Sequence, residues 1–385
     1  MHRSLKIAYL ANLVFALGMG VHQQFLSLHL RNLGADAVAW GLYSSCSLAF
    51  SALSYFPATW LCNKFDRKTL IIVGWLMAIP VPLIYAYAPS WPWALWGSFL
   101  FNISLFSNVA LQGYVIRFAD PQKISATLAQ IFAAFSLGSV FSQPLGGYLL
   151  DKVGYTWVFI IAAVFYTIST IMYCFIDNDP PSSEEKESKG FGLSLHIPRK
   201  YWVMIISFCL IHSLTMLPLD FVIPYIKDVS GLDLFWIGIV SAAASLGGAF
   251  LSPALGKISD KSGIFRAIAL NLVLSAMAML LLVYFPKALP ALLISSVLRG
   301  GSRTNSLYAA CLGAMATPAE RSNLLSLFGL SASLFSVVDP IISGTLYEIE
   351  MALPFKITAL LTMIVAIIIS LNHGKIQSFV SKEVN

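Results

Sequence analysis

Charge is what this sequence has least of. Of 385 residues only 11% are Asp, Glu, Lys or Arg, while 58% are hydrophobic, and the mean hydropathy is +0.77. Soluble domains carry about a quarter charged residues, so a soluble globular fold is excluded. Cysteine is scarce too. Cys46, Cys62, Cys174, Cys209 and Cys311 are scattered through apolar runs with no CxxC or Cys–His spacing, which speaks against a disulfide framework or a metal site. The phosphate-binding pattern GxxxxGK[ST] is missing, and with it the loop that would cradle ATP. No Ser/His/Asp or metal constellation is present, so no enzymatic activity, cofactor or metal is expected. Strand-like alternation of apolar and polar residues is also lacking, which leaves helices as the spanning elements. The first apolar run, from Ile7 to about Leu30, is too long for the core of a signal peptide and lacks a convincing cleavage site.

What the sequence has is apolar segments long enough to span a bilayer, which takes about 20 residues of helix. Twelve are expected, the first over about 6–30 and the last over about 353–373. Their flanking lysines and arginines set the orientation. With a cytoplasmic N-terminus, seventeen fall in inside loops and five in outside loops, Arg299 and Arg303 remaining within a span. Both termini are therefore expected in the cytoplasm of a multi-pass cell-membrane protein, and the net charge of +6 reports topology, with no nucleic-acid partner implied. One stretch breaks the apolar pattern. Asp177–Gly190, "DNDPPSSEEKESKG", has the Pro, Ser and mixed charge of a flexible linker. It divides the chain into a first six-helix bundle (1–176), a cytoplasmic linker (177–200) and a second six-helix bundle (201–385).

The two bundles read as copies. An offset of 197 residues places Gly34 on Gly231, Asp36 on Asp233, Gly41 on Gly238, Lys64 on Lys261 and Asn108 on Asn305, and an offset of 196 places Pro144 on Pro340. Matches spread evenly along both halves indicate an internal repeat. Parallel six-helix repeats put a solute site between them near mid-membrane.

The second copy contains Gly256-Lys-Ile-Ser-Asp260-Lys261-Ser-Gly263-Ile-Phe-Arg266 between its second and third spans. This resembles the Gly-x-x-x-Asp-Arg/Lys-x-Gly-x-x-Arg motif of the major facilitator superfamily. The first copy departs from it: Thr59, Asn63 and Asp66 stand where the motif has Gly, Asp and Gly, while Lys64, Arg67 and Lys68 keep the basic character. The fifth span ends Ser142-Gln143-Pro144-Leu145-Gly146-Gly147, similar to the family's Gly-Pro-x-x-Gly-Gly element, with Gln143 for its first glycine and one spacer residue fewer. The resemblance covers nearly the whole chain. It implies an all-α integral membrane fold of two pseudo-symmetric six-helix bundles, and transport by alternating access. It also implies a cytoplasmic gate at Gly256, Asp260, Lys261, Gly263, Arg266, Lys64 and Arg67.

Polar groups inside the membrane are costly and mark function or pairing. Sixteen of the eighteen acidic residues fall in loops or at span ends; Asp220 and Asp339 do not, and Arg299 and Arg303 are embedded with them. At about 1.5 Å per helical residue, Asp220, Asp339, Arg299 and the set His22, Gln23 and Gln24 share one layer, with Arg303 one turn deeper on the face of Arg299. Two guanidiniums can hold a carboxylate or phosphate through forked donors, and an arginine can equally neutralise an embedded acid. A carboxylate in such a site can carry a proton. Arg299, Arg303, His22, Gln23, Gln24 and Asn305 are thus candidate substrate contacts, and Asp220 and Asp339 candidates for proton coupling. The expected function is secondary active transport of a small organic solute, an organic anion by preference, driven by protons. Efflux of amphipathic or cationic compounds, or lipid handling on the same fold, is the alternative. A fold that closes its own pathway needs no second copy, so a monomer is expected.

Overall fold

The computed structural model describes residues 2–181, 197–302, 305–316 and 321–382. Among these residues the chain is helical throughout, without strands. The first half comprises α1 (Arg3–His22), α2 (Leu26–Asn32), α3 (Ala37–Lys64), α4 (Arg67–Ala78), α5 (Pro80–Tyr87), α6 (Trp91–Ser104), α7 (Phe106–Phe118) and α8 (Ile124–Tyr173). In the second half follow α9 (Arg199–Met216), α10 (Val222–Ser230), α11 (Leu234–Ser262), α12 (Ile264–Tyr284), α13 (Leu289–Gly301), α14 (Asn305–Met315), α15 (Arg321–Ser336), α16 (Asp339–Ile349) and α17 (Leu353–Lys382). Nine helical stretches among the described residues are long and apolar enough to cross a membrane. The longest, α8, holds two helices joined at Gly154, whose φ of 78° only glycine adopts without strain.

Several helices break part-way, and the breaks obey the repeat. A single 3₁₀ turn, Gln23–Phe25, separates α1 from α2; its counterpart Leu219–Phe221 separates α9 from α10 at an offset of 196. The α6–α7 break at Leu105 falls on the α13 end at Ser302 with an offset of 197. Gly34 and Gly231, matched in sequence, both have positive φ, 89° and 71°, and close equivalent turns.

Packing divides the chain into two compact units, and each takes in a short segment from the other half of the sequence. The first unit includes Asp233–Ala242 and the second includes Ala37–Ser45. Lipid supplies no hydrophobic drive for helices to associate, so close backbone approach at small residues holds them together. In the second unit, α3 lies against α16: a Cβ on Gly41 would collide with the Pro340 carbonyl, and one on Gly344 would come within 2.7 Å of the Ala37 carbonyl. In the first unit, α11 lies against α8 in the same register: a Cβ on Gly238 would meet the Gln143 carbonyl and Pro144, and one on Gly147 the Leu234 carbonyl. The repeat is therefore legible as two equivalent seams. Gly41→Ala and Gly238→Ala are each expected to cost about 1–3 kcal/mol through overpacking. Gly256→Ala, where an added Cβ meets nothing within 4 Å, is expected to be neutral; melting of a fluorescent fusion by size-exclusion chromatography separates the cases.

The core of the first unit is tied by aromatic and hydroxyl groups. Phe15 stacks on Tyr166 at 4.3 Å, the Trp75 indole donates to Ser169 Oγ at 3.0 Å, and that hydroxyl donates to the Ala11 carbonyl at 2.8 Å. At the chain-terminal end of this unit an ionic cluster binds the head of the expected linker. Arg67 Nη1 reaches Asp179 Oδ2 at 2.9 Å, with side-chain exposures of 10% and 3%, and Arg117 Nε lies 3.7 Å from Asp179 Oδ1. The Asp179 amide donates to Asp66 Oδ1 at 2.6 Å and its carbonyl accepts from the Arg67 amide at 3.1 Å. Ser4 Oγ donates to Asp177 Oδ2 and Tyr114 OH to the Asp177 carbonyl. Within the expected solvated linker, Asp179 is instead buried and fastened to the bundle by Arg67, Arg117 and Asp66, while Asp177 stays exposed and is bonded by Ser4 and Tyr114. Residues 182–196 of the expected linker lie outside the described residues.

Candidate functional site

Two helix breaks in the second unit meet at a polar site. Helix α9 stops at Met216 because Pro218 has no N–H to return to the carbonyl four residues earlier, and the chain passes through Leu219–Phe221 into α10. Across from it α15 stops at Ser336, and α16 starts at Asp339 with Pro340 in its first turn. Ser213 Oγ donates to Asp339 Oδ1, and Ser343 Oγ donates to the Leu217 carbonyl. Ser213 and Leu217 are one turn apart on α9, as are Asp339 and Ser343 on α16, so each helix offers two oxygens on one face. Asp339 is only 3% exposed, and its second oxygen, Oδ2, has no hydrogen bond among the described residues.

Asp220, half-buried on the 3₁₀ turn, lies near enough for its charge to act on Asp339. Its backbone carbonyl accepts from the Trp40 indole at 3.0 Å, and Trp40 stacks on Tyr43 at 5.5 Å. Two carboxylates and a pair of aromatic rings are thus grouped by α3, α9, the 3₁₀ turn and α16. Asp339 requires this enclosure, since an embedded carboxylate is tolerated only where it faces polar partners. His212, also buried, adjoins Ser213 on α9.

The other expected contacts are placed differently. His22 ends α1 and turns into the first unit: Nε2 is 3.1 Å from Tyr166 OH, the ring lies 5.4 Å from Phe159, and Nδ1 has no hydrogen bond among the described residues. His29 donates from Nε2 to the Tyr85 carbonyl at 2.9 Å. Gln23 is exposed and Gln24 half-buried. Arg299, on α13, is 6% exposed, with Nη2 3.5 Å from Ser296 Oγ of its own helix. Arg303 lies outside the described residues, and of Asn305 only its place at the start of α14 is described. Asp220 and Asp339, each a candidate for proton coupling, both lie in the second unit, within electrostatic reach of one another.

The sequence profile of the Major Facilitator Superfamily matches residues 8–303. The chain belongs to the Major Facilitator Superfamily. It is accordingly a membrane transporter with many spans, and not an enzyme. Its relatives include the multidrug resistance protein MdtG of Dickeya zeae (strain Ech586), 25% identical over 72% of this chain and 71% of that protein. Another is the multi-drug resistance efflux pump PmrA homolog of Lactococcus lactis subsp. lactis (strain IL1403), 22% identical over 74% and 72%. Among solved structures, a POT family transporter in complex with 5-aminolevulinic acid superposes with a TM-score of 0.78 at 14% identity, over 97% of this chain and 96% of that one. The nucleoside transporter NupG superposes with a TM-score of 0.73 at 13% identity, over 96% and 98%. At such identities the two structures show the shared fold alone.

In this superfamily member the Gly256–Arg266 motif of the second half spans the end of α11 and the start of α12. Gly263, with φ of 95°, caps α12, and Asp260, Lys261 and Arg266 are exposed. In the first half Lys64 is exposed and stands 4.4 Å over the Trp60 ring, while Arg67 is buried on Asp179. Sequence reading missed Asp179, Ser213, Ser343, Tyr166 and Trp40. Ser343 had a signal, its place one helical turn after Asp339; the others are joined to their partners only by the tertiary fold.

Proposed function

We propose that this transporter exports amphipathic organic cations in exchange for protons, using Asp339 with Asp220 as the group that holds solute and proton in turn. The observation that carries the reading is the pairing of two embedded carboxylates in the second unit, one with a buried oxygen that has no hydrogen bond among the described residues. Trp40 and Tyr43 beside them suit a cation's apolar body, since aromatic faces attract organic cations. The names of the two multidrug relatives support the same class. A proton arriving at Asp339 removes the negative charge that retains the cation, so one site couples the two flows. The transporter is read as a monomer in the cell membrane with both termini in the cytoplasm.

Transport of an organic anion is the second reading. It is favoured by Arg299, a guanidinium buried within the second unit, with Arg303 four residues on in the sequence. Proteoliposomes with an imposed pH difference, loaded with ethidium or with a panel of carboxylates and phosphates, separate the two. Arg303→Gln is expected to leave ethidium export within about twofold of wild type, the shift that a change of ~0.4 kcal/mol produces. Gradient-driven movement of one carboxylate, abolished by Arg303→Gln, would overturn the cation reading. Selective movement of labelled lipid between leaflets would do so in favour of lipid handling.

A further inference from the structure

We infer that the α9–α16 junction is a monovalent cation site, able to hold sodium or lithium on Asp339 in place of a proton. This rests on the reading of Asp339 as the coupling residue. Four oxygen-bearing groups line this junction as two hydrogen-bonded pairs across the helices, Ser213 Oγ with the Asp339 carboxylate and, four residues on along each helix, Ser343 Oγ with the Leu217 carbonyl. Asp339 Oδ2, on a residue 97% buried, has no hydrogen bond among the described residues. A buried oxygen of this kind is costly unless something satisfies it.

The chemistry of the donors selects the occupant. All are hard oxygens, which suit alkali and alkaline-earth ions and do not suit metals that prefer nitrogen or sulfur. Among the described residues no three His, Cys, Asp or Glu side chains gather as metal ligands. Of the four groups at the junction itself only the Asp339 carboxylate is charged and the other three are neutral, a set that matches a monovalent ion. The broken helix adds its own contribution. Helix α9 ends at Met216, which directs the partial negative charge of its C-terminal carbonyls at the junction. Unwound carbonyls at half-helix ends coordinate the coupling ion in other transporter folds. Both serine hydroxyls donate their protons onward, leaving lone pairs free to meet a cation.

The test uses purified full-length protein melted at equal ionic strength in sodium, lithium, potassium or choline chloride. At alkaline pH, sodium or lithium is expected to raise the melting temperature in a saturable way relative to choline, as binding to the folded state requires. The response is expected to disappear in Asp339→Asn. In Ser343→Ala the half-saturating sodium concentration, measured against that variant's own melt in choline, should rise several-fold. Acidification should weaken the sodium response by competition. Identical curves in sodium and choline at both pH values would overturn the inference, as would a sodium response that survives in Asp339→Asn. Proton-driven ethidium export in sodium-free choline buffer tests the underlying reading separately: if it persists where sodium has no effect, only the sodium site is lost.

Discussion

Replacing Asp339 by asparagine is expected to reduce ethidium export driven by an imposed proton gradient to the level of empty liposomes. The substitution is nearly isosteric, and the amide oxygen can still accept from Ser213 Oγ, so the α9–α16 junction should stay closed. What is lost is the ability to alternate between a charged and a neutral group. Each unit of pH difference supplies about 1.4 kcal/mol per transported proton, and a transporter whose coupling group cannot titrate gains none of it. Binding of ethidium should weaken as well, since one of the two negative charges is gone. Export measured against a series of imposed pH differences checks this. A slope equal to that of wild type would assign coupling to Asp220 alone.

The second large effect is on stability. Asp179→Ala is expected to destabilise the protein by about 3–5 kcal/mol, because removing one partner of a buried ion pair strands the other. Arg67, its side chain only 10% exposed, is the residue that loses its carboxylate partner at 2.9 Å. Arg117, 55% exposed, can turn to water and adds little. Melting of the variant against wild type measures the loss. A second variant keeps the cause separable: Arg67→Met combined with Asp179→Leu removes both charges and should recover most of the stability, because apolar replacement of a buried pair is often neutral. A loss well below that range in Asp179→Ala would mean that the backbone bonds of Asp179 to Asp66 and Arg67, which both variants keep, hold the segment, and not the ion pair.

The fold was legible because its rules are crude and one-dimensional. A bilayer demands helices of a fixed minimum length, and a repeat in the chain puts like residues at like places, so Gly34 and Gly231, matched in the sequence as a repeat, close equivalent turns, and Pro144 and Pro340 sit in equivalent seams. That Asp220 and Asp339 share one layer is read from the sequence by depth alone. Depth counts residues along an axis but does not say which way a side chain points around it. That is why depth alone makes His22 a candidate solute contact and does not foresee that its ring meets Tyr166 inside its own unit. The Asp179 cluster was hidden for another reason. Its neighbourhood in the sequence has the composition of a solvated linker, and only the fold brings Arg67 and Arg117 to it.

The exchanged segments Ala37–Ser45 and Asp233–Ala242 bear on how the chain is made. When the first six helices have left the ribosome, the start of α3 has nowhere to settle: Gly41 and Ala37 are shaped to fit Pro340 and Gly344, residues about three hundred positions away and not yet synthesised. The nascent first half must therefore wait in the bilayer with an unmatched edge, and the last helices to be translated complete the first ones. Expressed as two separate polypeptides, the halves should accumulate only together, each acting as the other's missing piece.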